Sequence, residues 1–220
     1  MSIADKLLHI KSELPENVTL VAVSKTKPVS DLMQAYNAGQ RIFGENKIQE
    51  MTEKYQQMPK DIEWHMIGHV QSNKVKYMIP YVKLIHGVDS LKLLKEINRQ
   101  ATRWRKKVNC LLQIHIAEEE TKFGFDESEL NEVLKQIETE KLENIMIVGL
   151  MGMATFTDNQ EQIRREFQHL KTIFDKVRKL TTDNCQMTTL SIGMSGDYQI
   201  AVQEGSTMVR IGSSIFGERN

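Results

Sequence analysis

The sequence holds only two cysteines, Cys110 and Cys185, among 220 residues. Two cannot build a disulfide framework, and no C-x-x-C pair suggests a zinc or redox site. A reducing, cytoplasmic setting is expected. Charge of one sign is missing as well: 29 Lys and Arg balance 29 Asp and Glu. A chain built mainly to bind nucleic acid needs an electropositive surface, so no nucleic-acid partner is expected. Long apolar runs are absent. The longest, Ile145–Ala154, contains two glycines and falls far short of the ~20 residues that span a bilayer. No membrane partner is expected. The opening MSIADKLLHIKSELPENV lacks a basic stretch followed by an apolar one, so no signal peptide is expected. With no linker, internal repeat or low-complexity segment, one domain over residues 1–220 is expected.

Hydrophobic residues nevertheless make up 40% of the chain, which excludes a disordered tail and suffices for an unstapled core. Short apolar runs rich in β-branched residues recur at Val18–Ser24, Arg41–Gly44, Ile62–Gly68, Leu84–Val88, Val108–Ile116, Ile145–Met153, Met187–Met194 and Met208–Phe216. They predict eight strands. Helical periodicity fills the intervals. Over Asn159–Thr181, the residues Ile163, Phe167, Leu170, Phe174 and Val177 fall three or four apart on one face, with Asp158 as the expected N-cap. Leu130, Val133, Leu134 and Ile137 mark a helix over Glu127–Thr139, entered through an Asp126/Glu129 capping box. A further helix starts at Ser90, and another follows Pro28 and stops at Gly39. An extra helix over Ile3–Leu14 precedes the first strand. The charge runs Arg103–Lys107 and Glu118–Glu120 are expected on solvated faces. Strands alternating with helices indicate parallel strands with crossovers. Eight such units in 220 residues predict an α/β fold, a single (β/α)₈ TIM barrel with an extra N-terminal helix. An open doubly wound sheet would carry a G-x-G-x-x-G turn after its first strand; here that turn reads Ser24-Lys25-Thr26-Lys27-Pro28.

Barrel chemistry sits at the C-terminal ends of the strands. Lys25 ends strand one in phase with Val21 and Val23, so it points into the mouth if the valines face the interior. A lysine there is either partly desolvated and nucleophilic, or snorkels to solvent. Asn46 follows strand two and either caps the next helix or faces the pocket. His65 and His69 stand four apart around Gly68, without the H-E-x-x-H helix that would aim both at one ion, so no metal is expected. Ser195-Gly196 follows strand seven and Gly212-Ser213 follows strand eight. Barrels commonly bind phosphate after these two strands, where glycine admits the anion and serine binds it; ordinary turn chemistry is the competing reading. An inward lysine facing a phosphate cup suggests an aldehyde-phosphate cofactor held as a Schiff base, with pyridoxal 5′-phosphate (PLP) the obvious candidate.

These residues lie in longer motifs. They are Ala22-Val23-Ser24-Lys25-Thr26-Lys27-Pro28; Phe43-Gly44-Glu45-Asn46 with Gln49-Glu50; Trp64 through Lys74; Leu190 through Asp197; and Met208 through Ser213. Together they make nearly the whole chain resemble the pyridoxal phosphate homeostasis protein family, the third motif most specifically. The pattern departs at His69 and at Ile192. The resemblance implies a barrel like the N-terminal domain of alanine racemase, with PLP on Lys25. It also implies Arg210 at the pyridine nitrogen, Ser195, Gly212 and Ser213 on the phosphate, and Asn46 with Met151-Gly152 near the ring. It implies a carrier or regulator of the PLP pool and of amino- and keto-acid balance, without established turnover and with no catalytic residue assigned. Apo PLP-dependent enzymes would be partners, and a monomer is expected.

Two alternatives stay open: a PLP-dependent amino-acid racemase or lyase, and a barrel enzyme that acts on a sugar phosphate through the lysine without PLP. Against racemisation, a racemase of this type needs a second acid/base opposite the lysine, and with the last expected strand near residue 220 no further domain is expected to supply one. An arginine at the ring nitrogen, always protonated, would also make the cofactor a poor electron sink.

Overall fold

The computed structural model describes residues 1–118, 123–179 and 182–218. Eight parallel strands close into a barrel in chain order. They are β1 Thr19–Val23, β2 Ile42–Glu45, β3 Glu63–Met66, β4 Val82–Val88, β5 Val108–Gln113, β6 Ile145–Met151, β7 Cys185–Met194 and β8 Met208–Ile211. The ring closes where β8 pairs with β1, from Thr19 opposite Met208 to Ala22 opposite Ile211. Outside lie α1 Ile3–Glu13, α2 Val29–Asn37, α3 Ile48–Gln57, α4 Val75–Met78, α5 Leu91–Arg103, α6 Glu127–Thr139, α7 Gln160–Val177, α8 Tyr198–Gln203 and α9 Ser213–Phe216. Among the described residues, no helix is long and apolar enough to cross a membrane. Both cysteines are free and buried.

Strand alternation creates two apolar regions. Side chains such as Ala22, Phe43, Trp64, Ile85, Leu112 and Val209 point outward and meet the helices in one continuous core. Their neighbours Val21, Leu84, Leu111, Met151 and Met208 form a separate inner cluster. Burying each large apolar side chain is worth roughly 1.5–3 kcal/mol, so a one-residue register slip would exchange the two sets and lose both.

The helix signals act as read. Ser90 accepts the Leu93 N–H at 3.3 Å at the start of α5, and the Asp126/Glu129 capping box opens α6. At α7 the cap is Asn159 rather than Asp158. The Asn159 side chain accepts the Gln162 N–H at 3.2 Å, three residues on, as an N-cap requires. Asp158, one residue earlier, is exposed. The expected helix end at Leu180–Thr181 and the charges Glu119–Glu120 lie outside the described residues. The apolar run Met208–Phe216 is also not all strand. It stays strand to Ile211, then turns at Gly212 into α9, where Ile215 and Phe216 donate back to the Gly212 carbonyl at 2.9 Å. A Cβ on Gly212 would stand 3.1 Å from the Val23 carbonyl oxygen; that close approach brings the end of β8 against the end of β1.

Candidate functional site

The C-terminal ends of the strands surround a cavity of about 500 Å³. Lys25, Asn46, Ser195, Arg210, Gly212 and Ser213 all line it. Val21 belongs to the inner cluster, while Val23 and Lys25 line the cavity, so the shared phase of these three residues carries Lys25 to the mouth. Lys27 lines it too, but its Nζ is drawn to the Glu218 carbonyl at 2.7 Å. Asn46 faces the cavity, and Lys47 takes the N-cap position of α3 without a side-chain cap bond. Met151 sits in the inner cluster beneath the site, and Met153 and Ala154 provide the apolar wall on that side. Gly152 reaches the site through its carbonyl alone, which accepts Arg210 Nη2 at 3.0 Å.

The turns after β7 and β8 form one structure. The Gly212 N–H donates to Ser195 Oγ at 3.1 Å. That hydroxyl, acting as acceptor toward the backbone, keeps its own proton for a ligand. Gly193, with φ of +97°, starts the first of these turns, and a Cβ there would stand 2.6 Å from Ala201 Cβ. Asp197 shapes the same turn by accepting the Met194 N–H at 2.5 Å. Burial raises the Asp197 carboxyl above its ordinary range, with the Met194 bond and Arg210 opposing.

Arg210 is buried inside the barrel, and three of its N–H groups are committed. Nη1 donates to the Ser191 carbonyl at 2.8 Å and to Ser191 Oγ at 2.6 Å, and Nη2 donates to Gly152. Two of the five guanidinium donors remain for a ligand. Burial pushes its pKa down to about 10, with Asp197 opposing, so the cation persists at neutral pH. Behind Ser191, a polar chain continues across the interior. His86 Nδ1 lies 3.2 Å from Ser191 Oγ, and His65 Nδ1 lies 3.0 Å from His86 Nε2. Burial drives the His65 pKa to about 3 and that of His86 well below its ordinary value, aided by His65 and Arg210. Both rings are therefore neutral, and two neutral imidazoles can share one hydrogen between facing nitrogens. His69 sits apart, half exposed and 3.0 Å from Asp89. Ser191 and His86 escaped the sequence reading. The alternation that places Leu84 inward places His86 inward too, and that signal was available.

A second group of charges lies under the Lys25 turn, between barrel and helices. Glu45 Oε1 accepts from Ser24 Oγ at 2.6 Å and from Lys54 Nζ at 2.7 Å. Glu45 Oε2 is buried with no hydrogen-bond partner, and burial raises this carboxyl above its usual range against the pull of Lys54.

A lysine amine, a paired Gly-Ser turn with a free hydroxyl proton and a fixed guanidinium thus meet in one cavity. That donor set suits a compact ligand bearing a carbonyl and an anionic group. Comparison with known proteins supplies the family. Residues 2–220 match the family model described as alanine racemase, N-terminal domain. A pyridoxal phosphate homeostasis protein of Pasteurella multocida is 40% identical over 214 residues, covering 96% of this chain and 91% of that one. The chain belongs to the pyridoxal phosphate homeostasis protein family. Solved structures agree. PipY of Synechococcus elongatus, determined both without PLP and with PLP bound, is 34% identical and gives TM-scores of 0.92 and 0.89. Both alignments cover 98% of this chain and all of that one. Alanine racemase of Clostridium difficile, 18% identical with a TM-score of 0.83, shares the fold, and this chain spans 60% of its length.

Proposed function

We propose that this chain binds PLP at the barrel mouth and serves the intracellular homeostasis of PLP and of the amino and keto acids linked to it, without turnover of its own. The observation that carries the reading is the single cavity shared by Lys25, Arg210 and the Ser195/Gly212 turn. The residues fit the group: the volume suits one small cofactor, the Ser195 hydroxyl has a proton to give, and the Lys25 amine lines the same space. When bound, PLP supplies an aldehyde that takes an amine as a Schiff base. Lys25 would provide that amine, Ser195 and the Gly212-Ser213 turn would hold the phosphate, and Asn46 and the wall above Met151 and Gly152 would flank the ring. PipY with PLP bound supports the same reading.

Arg210 supports the absence of turnover. Its committed bonds fix it, and at neutral pH it is a cation with donors only. Placed at the ring nitrogen it would disfavour protonation there, and an unprotonated ring stabilises a carbanion poorly. The balanced charge and paired Gly-Ser turns point to a small anionic ligand rather than nucleic acid. We read the protein as a cytoplasmic monomer that hands PLP to apo PLP-dependent enzymes.

The test is the absorption spectrum of the purified protein with PLP, before and after borohydride. A near-visible band that borohydride removes, with the pyridoxyl label mapped to Lys25 and the band lost in Lys25→Ala, is expected. A label on Lys27 would overturn the assignment of Lys25.

A further inference from the structure

We propose that Glu50 and Lys54 of α3 form a clamp on the backbone of Lys25 that aims its amine into the cavity, which makes them positioning residues for covalent capture of the aldehyde. The inference rests on the reading of Lys25 as the attachment point.

The clamp grips both peptide units that meet at Lys25. Lys54 Nζ donates to the Ser24 carbonyl at 2.7 Å, on the unit that precedes Lys25. Glu50 Oε1 accepts the Thr26 N–H at 2.6 Å, on the unit that follows. Peptide units are planar and hinge only at the α-carbon. Fixing the two planes flanking Lys25 therefore restrains its φ and ψ, and with them the direction in which its Cα–Cβ bond leaves the backbone, the starting point from which the amine reaches the cavity. The two jaws are joined, because Lys54 Nζ also lies 2.8 Å from Glu50 Oε1, one helical turn apart. Glu45 anchors the assembly by binding both Lys54 Nζ and Ser24 Oγ.

Two features show that the turn is imposed rather than relaxed. Thr26 has φ of +64°, a left-handed conformation that a β-branched residue adopts only when its surroundings hold it there. The grip also buries charge: the Lys54 side chain is 7% exposed and that of Glu45 is not exposed at all. Burying an ion pair in place of packed apolar residues is often neutral or worse for stability, so stability alone is a weak reason to keep one under this turn. Capture itself needs no further reagent. The Lys25 nitrogen, as the neutral amine, would add to the aldehyde carbon and give up its two hydrogens, which would leave with the carbonyl oxygen as water while a C=N bond replaced the C=O bond. What the reaction does need is an amine held at the right place, where a small misplacement is costly.

The experiment titrates wild type, Glu50→Ala, Glu50→Gln and Lys54→Met with two ligands, PLP and pyridoxine 5′-phosphate. The second has an alcohol in place of the aldehyde and cannot bond to Lys25. Glu50→Ala is expected to weaken PLP about tenfold, the scale of one hydrogen bond to a charged group, and to leave pyridoxine 5′-phosphate unchanged. Glu50→Gln keeps an acceptor for the Thr26 N–H and should recover most of the loss. Equal weakening of both ligands, or no weakening of either, overturns the clamp. The Glu50 side chain is 23% exposed, so its variants carry the test even if Lys54→Met fails to fold. Lys25→Ala separates the two readings. If it keeps the borohydride-sensitive band, the attachment point falls and the clamp with it. If it loses the band while Glu50→Ala binds PLP as wild type does, only the clamp falls.

Discussion

Ser191 Oγ stands 2.6 Å from Arg210 Nη1 and 3.2 Å from His86 Nδ1. One hydroxyl on β7 thus couples a guanidinium on β8 to an imidazole on β4, inside a barrel that also holds an apolar cluster of Val21, Leu84, Leu111, Met151 and Met208. The contact explains how a charged side chain is held at the mouth with no salt bridge to it among the described residues. Arg210 is fixed by oxygen acceptors on Ser191 of the adjacent β7 and on Gly152 just past β6, and its donor geometry toward the cavity follows from theirs.

Ser191→Ala should therefore do more than remove a hydroxyl. It leaves buried nitrogen atoms on His86 and Arg210 short of a partner, at a cost of about 1–3 kcal/mol. For a chain of this size that lowers Tm by roughly 2–12 °C. Calorimetry on the purified variant checks it, and an unchanged Tm would mean that the Arg210–Ser191–His86 chain contributes nothing to stability.

Acid should destabilise the barrel earlier than carboxylate titration alone would cause. His65 is depressed from 6.5 to about 3 and His86 well below its ordinary value, both by burial. Below pH 6.5 the unfolded chain takes up protons that the native chain refuses, so stability falls as pH drops from about 6.5 toward 3. His65 contributes up to about 1.4 kcal/mol per pH unit in that window, and His86 adds to the slope in the same direction. Glu45, raised by burial, runs the other way within the carboxylate range and offsets part of the slope. Urea unfolding across a series of buffers checks the sign. Replacing His86 by Asn should flatten the slope, and an identical slope in that variant would contradict a buried neutral His86.

The phosphate cup should carry much of the affinity for PLP. Removing one serine hydroxyl costs about 1.5–3 kcal/mol at a charged ligand, which is roughly tenfold to a hundredfold in Kd. Titrations of PLP and pyridoxal on wild type, Ser195→Ala and Ser213→Ala are the check. Pyridoxal lacks the phosphate and should bind far more weakly to wild type. Equal affinity for the two ligands would reduce these turns to turns.

Racemisation should be absent. Holo-protein incubated with L-alanine should release the D-enantiomer no faster than free PLP does. Faster release, abolished in Lys25→Ala, would instead favour a racemase or lyase.

The sequence by itself determined the barrel and most of its mouth. Alternation with period two carries its own geometry, so Val21, Val23 and Lys25 could be assigned one face without knowing what the strand paired with. Asp126 could be read as a cap because a cap bond reaches only three residues along the chain. Short apolar runs are less decisive, since strand and helix both accommodate them. For that reason the helix Ser213–Phe216 was hidden inside the expected apolar run Met208–Phe216, although the Gly212-Ser213 turn was legible from its residue types. Tertiary structure decided whatever depends on residues far apart in the chain. Ser195 and Gly212 become one cup only when β7 and β8 lie side by side. His65, His86, Ser191 and Arg210 come from four strands and meet only on the inner face of a closed ring. Lys54 is twenty-nine positions beyond Lys25, and no local pattern relates them. Lys54 reaches the turn that carries Lys25 because α3 packs across the ends of β1 and β2, where a buried ammonium finds the Ser24 carbonyl and two carboxylates within hydrogen-bond reach.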